Sequence, residues 1–598
     1  MQFVLLSEQR IHQMNDDFDF TKSQLNLIER VGSIFVEACP GAGKTQTIAE
    51  RFAVRPNAHP RKGVALLSFT NAAADEARLR CSGDPSLLTA PNFVGTIDKF
   101  LNRFIVSPFA TSRDGVRTHF VDTWSQLPNV TVRLTGRQGV FLLDWFDFHS
   151  DDTATLHGRT APYIARKKIE ALSSTQRIEF EAEATRIRKT LINRGYYSAE
   201  ASRQVADSIL ADSSDRSKLT ALIGSRFSEV IVDEVQDCSG SDFNVLQLFK
   251  EAGVMIVLVG DPDQAIYDFR QLQSSSPVPA LSTLAPTGDR LDGNFRSTPA
   301  ICAIAGSLRV STSSVDIARG PNRNSETPIY IFGYSDIKSI APCIELLRTS
   351  EGYRLDQTVI LSHNWNTARS VAGGSKPELN SDSKLVRIAS AIRCLHDETN
   401  TRLRQSALHD LANTLHESSN KELRKLALMD FLEKIGLSER QFLTSVLRVA
   451  TSTAFDKNPS TFKNSLMQAL SSNSFDWVGS LTIPRGDKWP AMPNWGKKTS
   501  IQYGTIHSYK GLQQQFVTMV IPEDHESRTR DQSGVLLWHE DRDGEPRRVL
   551  YVGATRAQKL LMLAVHESHL DKVLSRLTRD TVPFRYIRLL ENRIEDAY

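Results

Sequence analysis

Short runs of apolar residues recur along the chain, and most of them end next to polar or glycine-bearing turns. The seven clearest runs are residues 33–38, 64–69, 229–234, 254–261, 358–363, 516–521 and 560–565. Continuous apolar runs of this length are typical of strands that are buried on both faces. Helix-like segments follow several of them, for example residues 44–52 and 71–80. The alternation therefore predicts an α/β fold of parallel sheets flanked by helices.

Two long stretches lack these runs. Residues 105–214 are rich in charge and helix formers, and residues 375–495 also place apolar residues three and four positions apart. Each stretch is longer than a loop inside a compact domain normally is. We therefore expect two α/β cores, each with a mainly helical insertion.

The amino-acid composition indicates the general class of protein but does not indicate a function. Of the 598 residues, 40% are hydrophobic and 24% are charged, which is ordinary for a soluble globular chain. The net charge of +3 predicts that any nucleic-acid surface is a local patch. The six cysteines are scattered without a CxxC pair, which fits a reducing cytosol. Because we find neither a signal peptide nor an apolar run of the roughly 18 residues that span a bilayer, we expect a cytoplasmic protein without membrane partners.

The strongest local signal is the sequence ACPGAGKT at residues 38–45, between a predicted strand and a predicted helix. Gly41 and Gly43 would let the backbone curl so that its N–H groups face a polyphosphate. Lys44 would bring a positive charge to the outer phosphates, and the Thr45 hydroxyl could bind Mg²⁺. Ala38 replaces the first glycine of the usual GxxxxGK[ST] pattern. A glycine-rich turn is the alternative, but the strand, the glycines and the Lys-Thr pair together favour a phosphate-binding loop.

Two further predicted strands end in polar residues. Asp233 would hold Mg²⁺, and Glu234 would orient and deprotonate a water for attack on the γ-phosphorus. Such an acidic pair is more often a solvated turn, but a neighbouring P-loop favours hydrolysis. After the next strand, Gln264 can reach the γ-phosphate. Tyr267 and Phe269 follow it, and both core packing and stacking on the bases of a single strand remain open for them.

These motifs together resemble the UvrD/PcrA/Rep-like helicases of superfamily 1A. The further stretches that carry the resemblance are FDFTKSQLNLIE (18–29, Q motif), LLSFTNAAADEARLR (66–80, motif Ia), GTIDKF (95–100, motif Ib), LDGNFRSTP (291–299, motif IV), GTIHSYKGLQ (504–513, motif V) and RRVLYVGATRAQKLL (547–561, motif VI). They follow the family order from residue 18 to residue 561, so the resemblance spans nearly the whole chain.

The resemblance implies two RecA-like domains that hold ATP and Mg²⁺ in the cleft between them. The implied boundaries are 1–104 and 215–288 for domain 1A, 105–214 for insertion 1B, 289–374 and 496–598 for domain 2A, and 375–495 for insertion 2B. Basic clusters at 166–168 and 186–189 could contact duplex DNA, although a solvated helix face is the commoner explanation.

The resemblance also assigns roles to residues of this chain. Arg296 and Arg556, both expected from the second core, would neutralise charge on the γ-phosphate. The implied nucleotide contacts are Gln24, which would read adenine, Pro40, Gly41, Ala42, Gly43, Lys44, Thr45, Gln46, Phe295, which would stack on adenine, and Gln513. The implied contacts with single-stranded DNA are Phe69, Thr96, Tyr267, Phe269 and His507.

Two residues depart from the family motifs. Asp98 stands where motif Ib usually has a histidine, and its carboxylate would repel a phosphate path unless it turns away. Gln513 replaces an acid of motif V that can accept a hydrogen bond from the ribose, and its amide can still form hydrogen bonds without a charge. We expect the chain to bind nucleotides despite this change, but to distinguish less well between sugars with and without the ribose hydroxyl.

Three functions remain open. The first is an ATP-driven motor that moves 3′→5′ on single-stranded DNA and unwinds tailed duplexes, in DNA repair, recombination or phage defence. The second is a DNA-stimulated ATPase subunit that switches on a partner nuclease, because the helicase subunits of Gabija-type phage defence are similar in layout. The third, a P-loop enzyme of small-molecule metabolism, leaves motifs Ia, IV, V and VI unexplained.

Overall fold

The computed structural model of the chain contains two compact units. Unit 1 comprises residues 1–302, 308–324 and 543–548, and unit 2 comprises residues 303–307, 325–542 and 549–598. The structure describes residues 20–54, 61–127, 130–134, 141–149, 151, 153–158, 161, 163–266, 278–310, 315–373, 383–397, 401–420, 422–423, 431–432, 434–454, 456, 458–483, 489, 501–523, 533–590 and 593–596.

Unit 1 is built on a five-stranded parallel sheet. Its strands are β1 (Ile34–Glu37), β2 (Gly63–Ser68), β3 (Phe93–Thr96), β4 (Phe227–Val232) and β5 (Met255–Gly260). Their spatial order is β1-β5-β4-β2-β3. Nearly every strand residue is buried, as expected for a sheet covered on both faces. Because all five strands run the same way, the loops that follow them meet at one edge of the sheet.

Helices cover both faces of this sheet. Three of them follow sequence motifs: α1 (Lys22–Glu29), α2 (Lys44–Val54) and α3 (Asn71–Cys81). Thr21 and Gln24 form a capping box at the start of α1, and the Thr70 hydroxyl caps α3. The other described helices before residue 325 are Ile97–Leu101, Ser107–Asp114, Tyr163–Glu170, Ser174–Asn193, Ala199–Ala211, Ser213–Arg226, Gly240–Glu251, Val278–Leu281 and Pro299–Leu308.

The first insertion contains short strands as well as helices. Short strands pair as His119–Val121 with Tyr196–Ser198, Thr131–Val132 with Phe141–Leu142, and Phe146–Phe148 with Ala154–Leu156. The insertion is mainly helical, as expected, but the described residues between 119 and 156 form short strands instead of α-helices. The physical reason is composition: this stretch is rich in aromatic and β-branched residues, which favour strands. Trp124, Trp145 and Phe180 pack into a small core of their own here.

Unit 2 is built on a seven-stranded sheet. Its strands are β6 (Ile329–Tyr334), β7 (Thr358–Ser362), β8 (Gln502–Thr505), β9 (Gln514–Ile521), β10 (Ala557–His566), β11 (Phe584–Leu590) and β12 (Arg593–Asp596). The spatial order is β8-β7-β9-β10-β6-β11-β12. All neighbours are parallel except β11 and β12, which are antiparallel.

The helices of unit 2 fall into two sets. Those around the sheet are Ile340–Ser350, Trp365–Val371, Gly534–His539, Glu545–Ala554, which begins in unit 1, and Glu567–Arg579. Those of the second insertion are Lys384–Asp397, Thr401–Glu417, Glu439–Ser452 and Pro459–Ser472. The insertion helices enclose a separate apolar core between Leu385 and Leu481. None of the described helices combines the length and the apolar character needed to cross a membrane.

All seven strands predicted from apolar runs are confirmed, as are the parallel sheets flanked by helices. The division into four domains stays a prediction. Residues 289–302 and 308–324 group with unit 1 rather than with residues 325–374. The reason is local pairing, because Leu291 continues the sheet edge beside Ala38 at the end of β1.

Candidate phosphate-binding site of unit 1

The loop after β1 turns sharply around two glycines before α2 begins at Lys44. Gly41 and Gly43 have φ angles of +75° and +70°, in the left-handed region that favours glycine. A Cβ atom on Gly41 would lie 2.6 Å from the Cβ of Arg296 and 2.7 Å from the Oδ1 of Asn294. The loop therefore brings backbone N–H groups and a helix N-terminus to the carboxyl edge of the sheet, which is where anions bind.

Lys44 points at one of the two predicted acids. Its Nζ atom lies 3.3 Å from Oε1 of Glu234. Burial lowers the pKa of Lys44, but Glu234, Asp261 and Asp233 together outweigh burial, so the pKa is raised. The exposed fraction of the Glu234 side chain is 26%, against 9% for Lys44. The lysine is thus held as a buried cation, while water can still reach the glutamate.

Thr45 and Asp233, the two predicted metal ligands, lie side by side. The Thr45 hydroxyl is 3.4 Å from Oδ2 of Asp233. Burial and the charge of Glu234 raise the pKa of Asp233, and Lys44 opposes them. The described residues contain no group of three or more His, Cys, Asp or Glu side chains suited to a metal ion. One hydroxyl and one carboxylate still fit Mg²⁺, which keeps water ligands and takes the others from substrate phosphates.

Glu234 is held in an unusual backbone conformation. Its φ of 55° is left-handed, which is uncommon for a residue with a side chain, and strained residues of this kind cluster at functional sites. The side-chain amide of Gln236 donates to Oε2 of Glu234. The other end of that amide accepts the N–H of Asp261 at 3.0 Å. Gln236 therefore connects the end of β4 to the end of β5. The sequence did not indicate this role, because a glutamine in a turn carries no specific signal.

Gln264 is fixed through the same aspartate. Its Nε2 donates to Oδ2 of Asp261 at 2.9 Å, and the side chain is 4% exposed. One continuous series of hydrogen bonds thus links Glu234, Gln236, Asp261 and Gln264. The predicted water-activating residue and the predicted γ-phosphate contact are held by shared partners.

The segment around Arg296 lies against the P-loop. The N–H of Phe295 donates to the carbonyl of Gly41 at 2.9 Å, and Oδ1 of Asn294 accepts the N–H groups of Arg296 and Ser297. Burial lowers the pKa of Arg296, against the opposing charge of Glu234. Arg296 belongs to unit 1, as Lys44 does, which differs from the expectation that both arginines come from the second core.

The predicted nucleotide contacts Gln24 and Gln46 also take part in the fold. Oε1 of Gln24 accepts the N–H of Thr21 at 2.8 Å, and its Nε2 donates to the carbonyl of Ala42 at 3.0 Å. The side chain is 1% exposed, so Gln24 supports the P-loop from within the fold. Gln46 accepts a hydrogen bond from Arg80 of α3. Pro40 and Ala42 are buried. Recognition of adenine by Gln24 stays a prediction.

A buried ionic cluster lies behind the turn that carries Gln264. The Arg309 guanidinium is 2.7 Å from Oδ1 of Asp316 and 3.2 Å from Oδ2 of Asp263. Its side chain is 1% exposed, and Arg290 forms a second ion pair with Asp316. Burial raises the pKa of Asp316 to about 7, although Arg309 acts to lower it. Sequence analysis missed this cluster because Arg309 and Asp316 belong to no motif.

Replacement of Arg309 by methionine tests the contribution of this cluster to stability. At about pH 8 we expect a loss of roughly 3–5 kcal/mol in the free energy of unfolding, because Asp263 and Asp316 lose the buried guanidinium that they share, and Arg290 remains only beside Asp316. Without the guanidinium, the pKa of Asp316 rises further above its unfolded value. Protonation of Asp316 removes a buried negative charge and so stabilises the folded variant. This stabilisation is complete below the pKa of Asp316 in the unfolded protein and is lost as the pH rises through its pKa in the folded protein. The loss should therefore be smaller at about pH 5.5, as measured by urea denaturation.

The matched control is Arg354→Met, which breaks the exposed ion pair with Asp356. Exposed pairs contribute little, so this variant should unfold like the wild type at both pH values. If Arg309→Met destabilised the protein equally at both pH values, protonation of Asp316 would not be the cause.

The predicted DNA contacts of unit 1 have structural roles of their own. The Thr96 hydroxyl is buried and caps the helix Ile97–Leu101 by accepting the N–H of Lys99 at 3.3 Å. Phe69 is partly buried against the core of the sheet. Tyr267 and Phe269 lie outside the described residues. Contact of these residues with DNA therefore stays a prediction.

Asp98, the departure in motif Ib, forms an ion pair. Its Oδ1 lies 2.7 Å from Nε of Arg203, whose Nη1 lies 2.6 Å from Oδ1 of Asp242. Arg203 belongs to the insertion helix Ala199–Ala211. The carboxylate at position 98 is thus paired with a residue 105 positions away in the sequence, which it shares with Asp242. Repulsion of a nearby phosphate is correspondingly weaker than the sequence suggested.

The remaining predicted residues lie in unit 2. The Arg556 guanidinium is 2% exposed and donates to the carbonyls of Val552 and Leu512 and to the Thr555 hydroxyl. It connects the segment that resembles motif V to the one that resembles motif VI. The His507 ring packs edge-on against His363 at 5.5 Å. Gln513 is exposed.

Comparison with known proteins gives partial matches to helicases. DNA helicase II of Haemophilus influenzae is 31% identical over 88 residues, which is 15% of this chain and 12% of that protein. An ATP-dependent helicase/nuclease subunit of Lactobacillus delbrueckii subsp. bulgaricus is 42% identical over 74 residues, 12% of this chain and 6% of the relative. RecBCD enzyme subunit RecB of Borreliella burgdorferi is 34% identical over 62 residues, 10% and 5% of the two chains. The aligned parts thus span only a small share of each relative's length.

Two family domains also match the chain. The UvrD/REP helicase N-terminal domain matches residues 20–276, which include the P-loop and both acids. The UvrD-like helicase C-terminal domain matches residues 493–568, which include His507 and Arg556. With the site residues gathered at one sheet edge and both family domains present in order, the chain belongs to the UvrD-like helicases.

Proposed function

We propose that the chain is an ATP-dependent DNA helicase or translocase, with ATP and Mg²⁺ bound at the P-loop edge of unit 1. The observation that supports this best is the meeting of two pairs at that edge. Lys44 lies beside Glu234, and Thr45 lies beside Asp233. Hydrolysis of ATP needs a phosphate-binding cation, a metal-holding pair and a base within reach of one another.

The arrangement supports a specific order of events at the site. Thr45 and Asp233 would hold Mg²⁺, which supplies positive charge to the phosphate oxygens. When ATP binds, the Lys44 ammonium would leave its ion pair with Glu234 and contact the outer phosphates instead. That exchange would free the Glu234 carboxylate to accept a proton from the attacking water. Gln236 would keep the carboxylate aimed during the exchange, because it also holds the N–H of Asp261.

Several finer features of the proposal rest on the family resemblance. These are the RecA-like character of both sheets, 3′→5′ movement, the γ-phosphate roles of Arg296 and Arg556, and sequence-independent strand contacts by Phe69, Thr96 and His507. Stacking of aromatic side chains and contacts to phosphates do not read base identity, so binding should depend strongly on salt and little on sequence.

A second candidate function is a DNA-stimulated ATPase subunit that regulates a partner nuclease. The names of two relatives, one a RecBCD subunit and the other a helicase/nuclease subunit, favour this candidate. In this case the chain would hydrolyse ATP on DNA but would displace strands poorly without its partner, as in a Gabija-type complex.

One experiment separates the two candidates. The purified chain is assayed for ATP hydrolysis with and without single-stranded DNA, and for strand displacement on 3′-tailed, 5′-tailed and blunt duplexes. Displacement of the 3′-tailed duplex alone supports the 3′→5′ motor, whereas DNA-stimulated hydrolysis without displacement supports the regulatory role. Preference for a 5′ tail would overturn the polarity. A protein that hydrolyses no ATP with any DNA would overturn both candidates.

A further inference from the structure

Ser68, the last residue of β2, has a buried hydroxyl that no established role explains. The residue is 4% exposed, and its Oγ atom has no hydrogen-bond partner among the described residues. Buried polar groups nearly always have a partner, and a persistent exception often marks a site for a water or an ion. The position of Ser68 indicates which ligand is involved.

The register of the sheet places Ser68 next to Asp233. Leu67 of β2 pairs with Val232 of β4, and the N–H of Asp233 donates to the carbonyl of Leu67 at 2.9 Å. Ser68 and Asp233 are the next residues along two parallel strands, which run about 4.8 Å apart. Residues in register on neighbouring strands project to the same face of the sheet.

That face carries α2. Leu67 and Val232 pack into the core on one side of the sheet, whereas Leu66 and Ile231 pack on the other side with Ile48 of α2. Because side chains alternate between faces, Ser68 and Asp233 project to the side of α2. Thr45, at the start of α2, reaches Oδ2 of Asp233 on this same side.

The neighbouring polar groups already have partners. Oδ1 of Asp233 accepts the N–H of Glu234 at 2.9 Å, and its Oδ2 faces the Thr45 hydroxyl. On the other side, Thr96 of β3 pairs in register with Ser68, but its hydroxyl accepts the N–H of Lys99. The Ser68 hydroxyl is therefore available for a group that binds between it and the Thr45–Asp233 pair.

We propose that Ser68 is a positioning residue for the metal, and that its hydroxyl holds a water ligand of the Mg²⁺ bound by Thr45 and Asp233. This inference rests on the proposed function, because it takes Mg²⁺ with ATP as the ligand of the site. Mg²⁺ retains several of its waters when it binds to proteins. Groups that form hydrogen bonds with the ligands of a metal, without contacting the metal themselves, affect metal affinity strongly.

The test is the Ser68→Ala variant in a binding assay that does not depend on turnover. A fluorescent, non-hydrolysable ATP analogue is bound to the full chain while Mg²⁺ is titrated. We expect the half-saturating Mg²⁺ concentration to rise about tenfold, at the lower end of the range for such groups. Binding of the analogue in the presence of EDTA should not change. Ser68→Thr keeps a hydroxyl and should restore the wild-type Mg²⁺ dependence.

Ser419→Ala is a matched control. Ser419 lies in unit 2, is 5% exposed, and also has a hydroxyl without a partner among the described residues. The same substitution there should leave the Mg²⁺ dependence unchanged. A wild-type Mg²⁺ dependence in Ser68→Ala would overturn the inference. Equal weakening with Mg²⁺ and with EDTA would overturn it too, because Ser68 would then act on the loop. If the wild type bound the analogue without any effect of Mg²⁺, the proposed function itself would fail.

Discussion

Replacing Lys44 by alanine is expected to lower the rate of ATP hydrolysis at least about 10²–10³-fold, the range seen when one preorganised electrostatic group is removed. Lys44 is buried, its pKa is raised by three acids, and its ammonium group lies at the N-terminus of α2. Its Nζ atom lies 3.3 Å from Oε1 of Glu234. The measurement is steady-state ATPase activity with saturating single-stranded DNA.

Lys250→Ala is the control for this variant. Lys250 is exposed and donates to the carbonyl of Thr283 within unit 1, so its loss should not affect turnover. A urea denaturation curve close to that of the wild type would show that Lys44→Ala still folds. Unchanged hydrolysis in a folded Lys44→Ala protein would rule out the phosphate-binding interpretation of residues 38–45.

Replacing Glu234 by glutamine is expected to reduce hydrolysis about 10²–10⁴-fold, the usual contribution of a general base. Binding of ATP should remain, because the phosphate-binding loop and the Thr45–Asp233 pair are untouched. The ion pair with Lys44 competes with the phosphates in our mechanism. The variant should therefore bind ATP at least as tightly as the wild type. Single-turnover kinetics measure the loss of hydrolysis, and equilibrium binding of a fluorescent, non-hydrolysable ATP analogue measures the affinity separately.

Glu251→Gln provides the comparison for Glu234→Gln. Glu251 forms an ion pair with Arg216 away from the P-loop, and its side chain is 46% exposed. This change should leave both hydrolysis and binding as they are. If Glu234→Gln lost ATP binding along with hydrolysis, the left-handed residue at position 234 would be important for the fold of the loop and not for proton transfer.

The sequence was most informative where a local pattern was sufficient. The seven apolar runs became strands because burial on both faces needs an unbroken apolar run. Strand β6 was not predicted, because tyrosines and a glycine interrupt the apolar pattern of its six residues. The short strands between residues 119 and 156 were not predicted, since the helix-forming segments that follow dominated the interpretation of a long insertion.

By itself, the sequence determined the order of the motifs, the glycine loop before Lys44 and the acids at the end of β4. Each of these is encoded by residues within a few positions of one another. The tertiary structure alone decided that Asp98 pairs with Arg203, that Gln236 links Glu234 to Asp261, and that Ser68 lies next to Asp233. The first contact forms between two helices that are far apart in the sequence, and the other two form when distant strands are brought together in one sheet. Sheet order and register are set by packing of the whole core, and no short stretch of sequence specifies them.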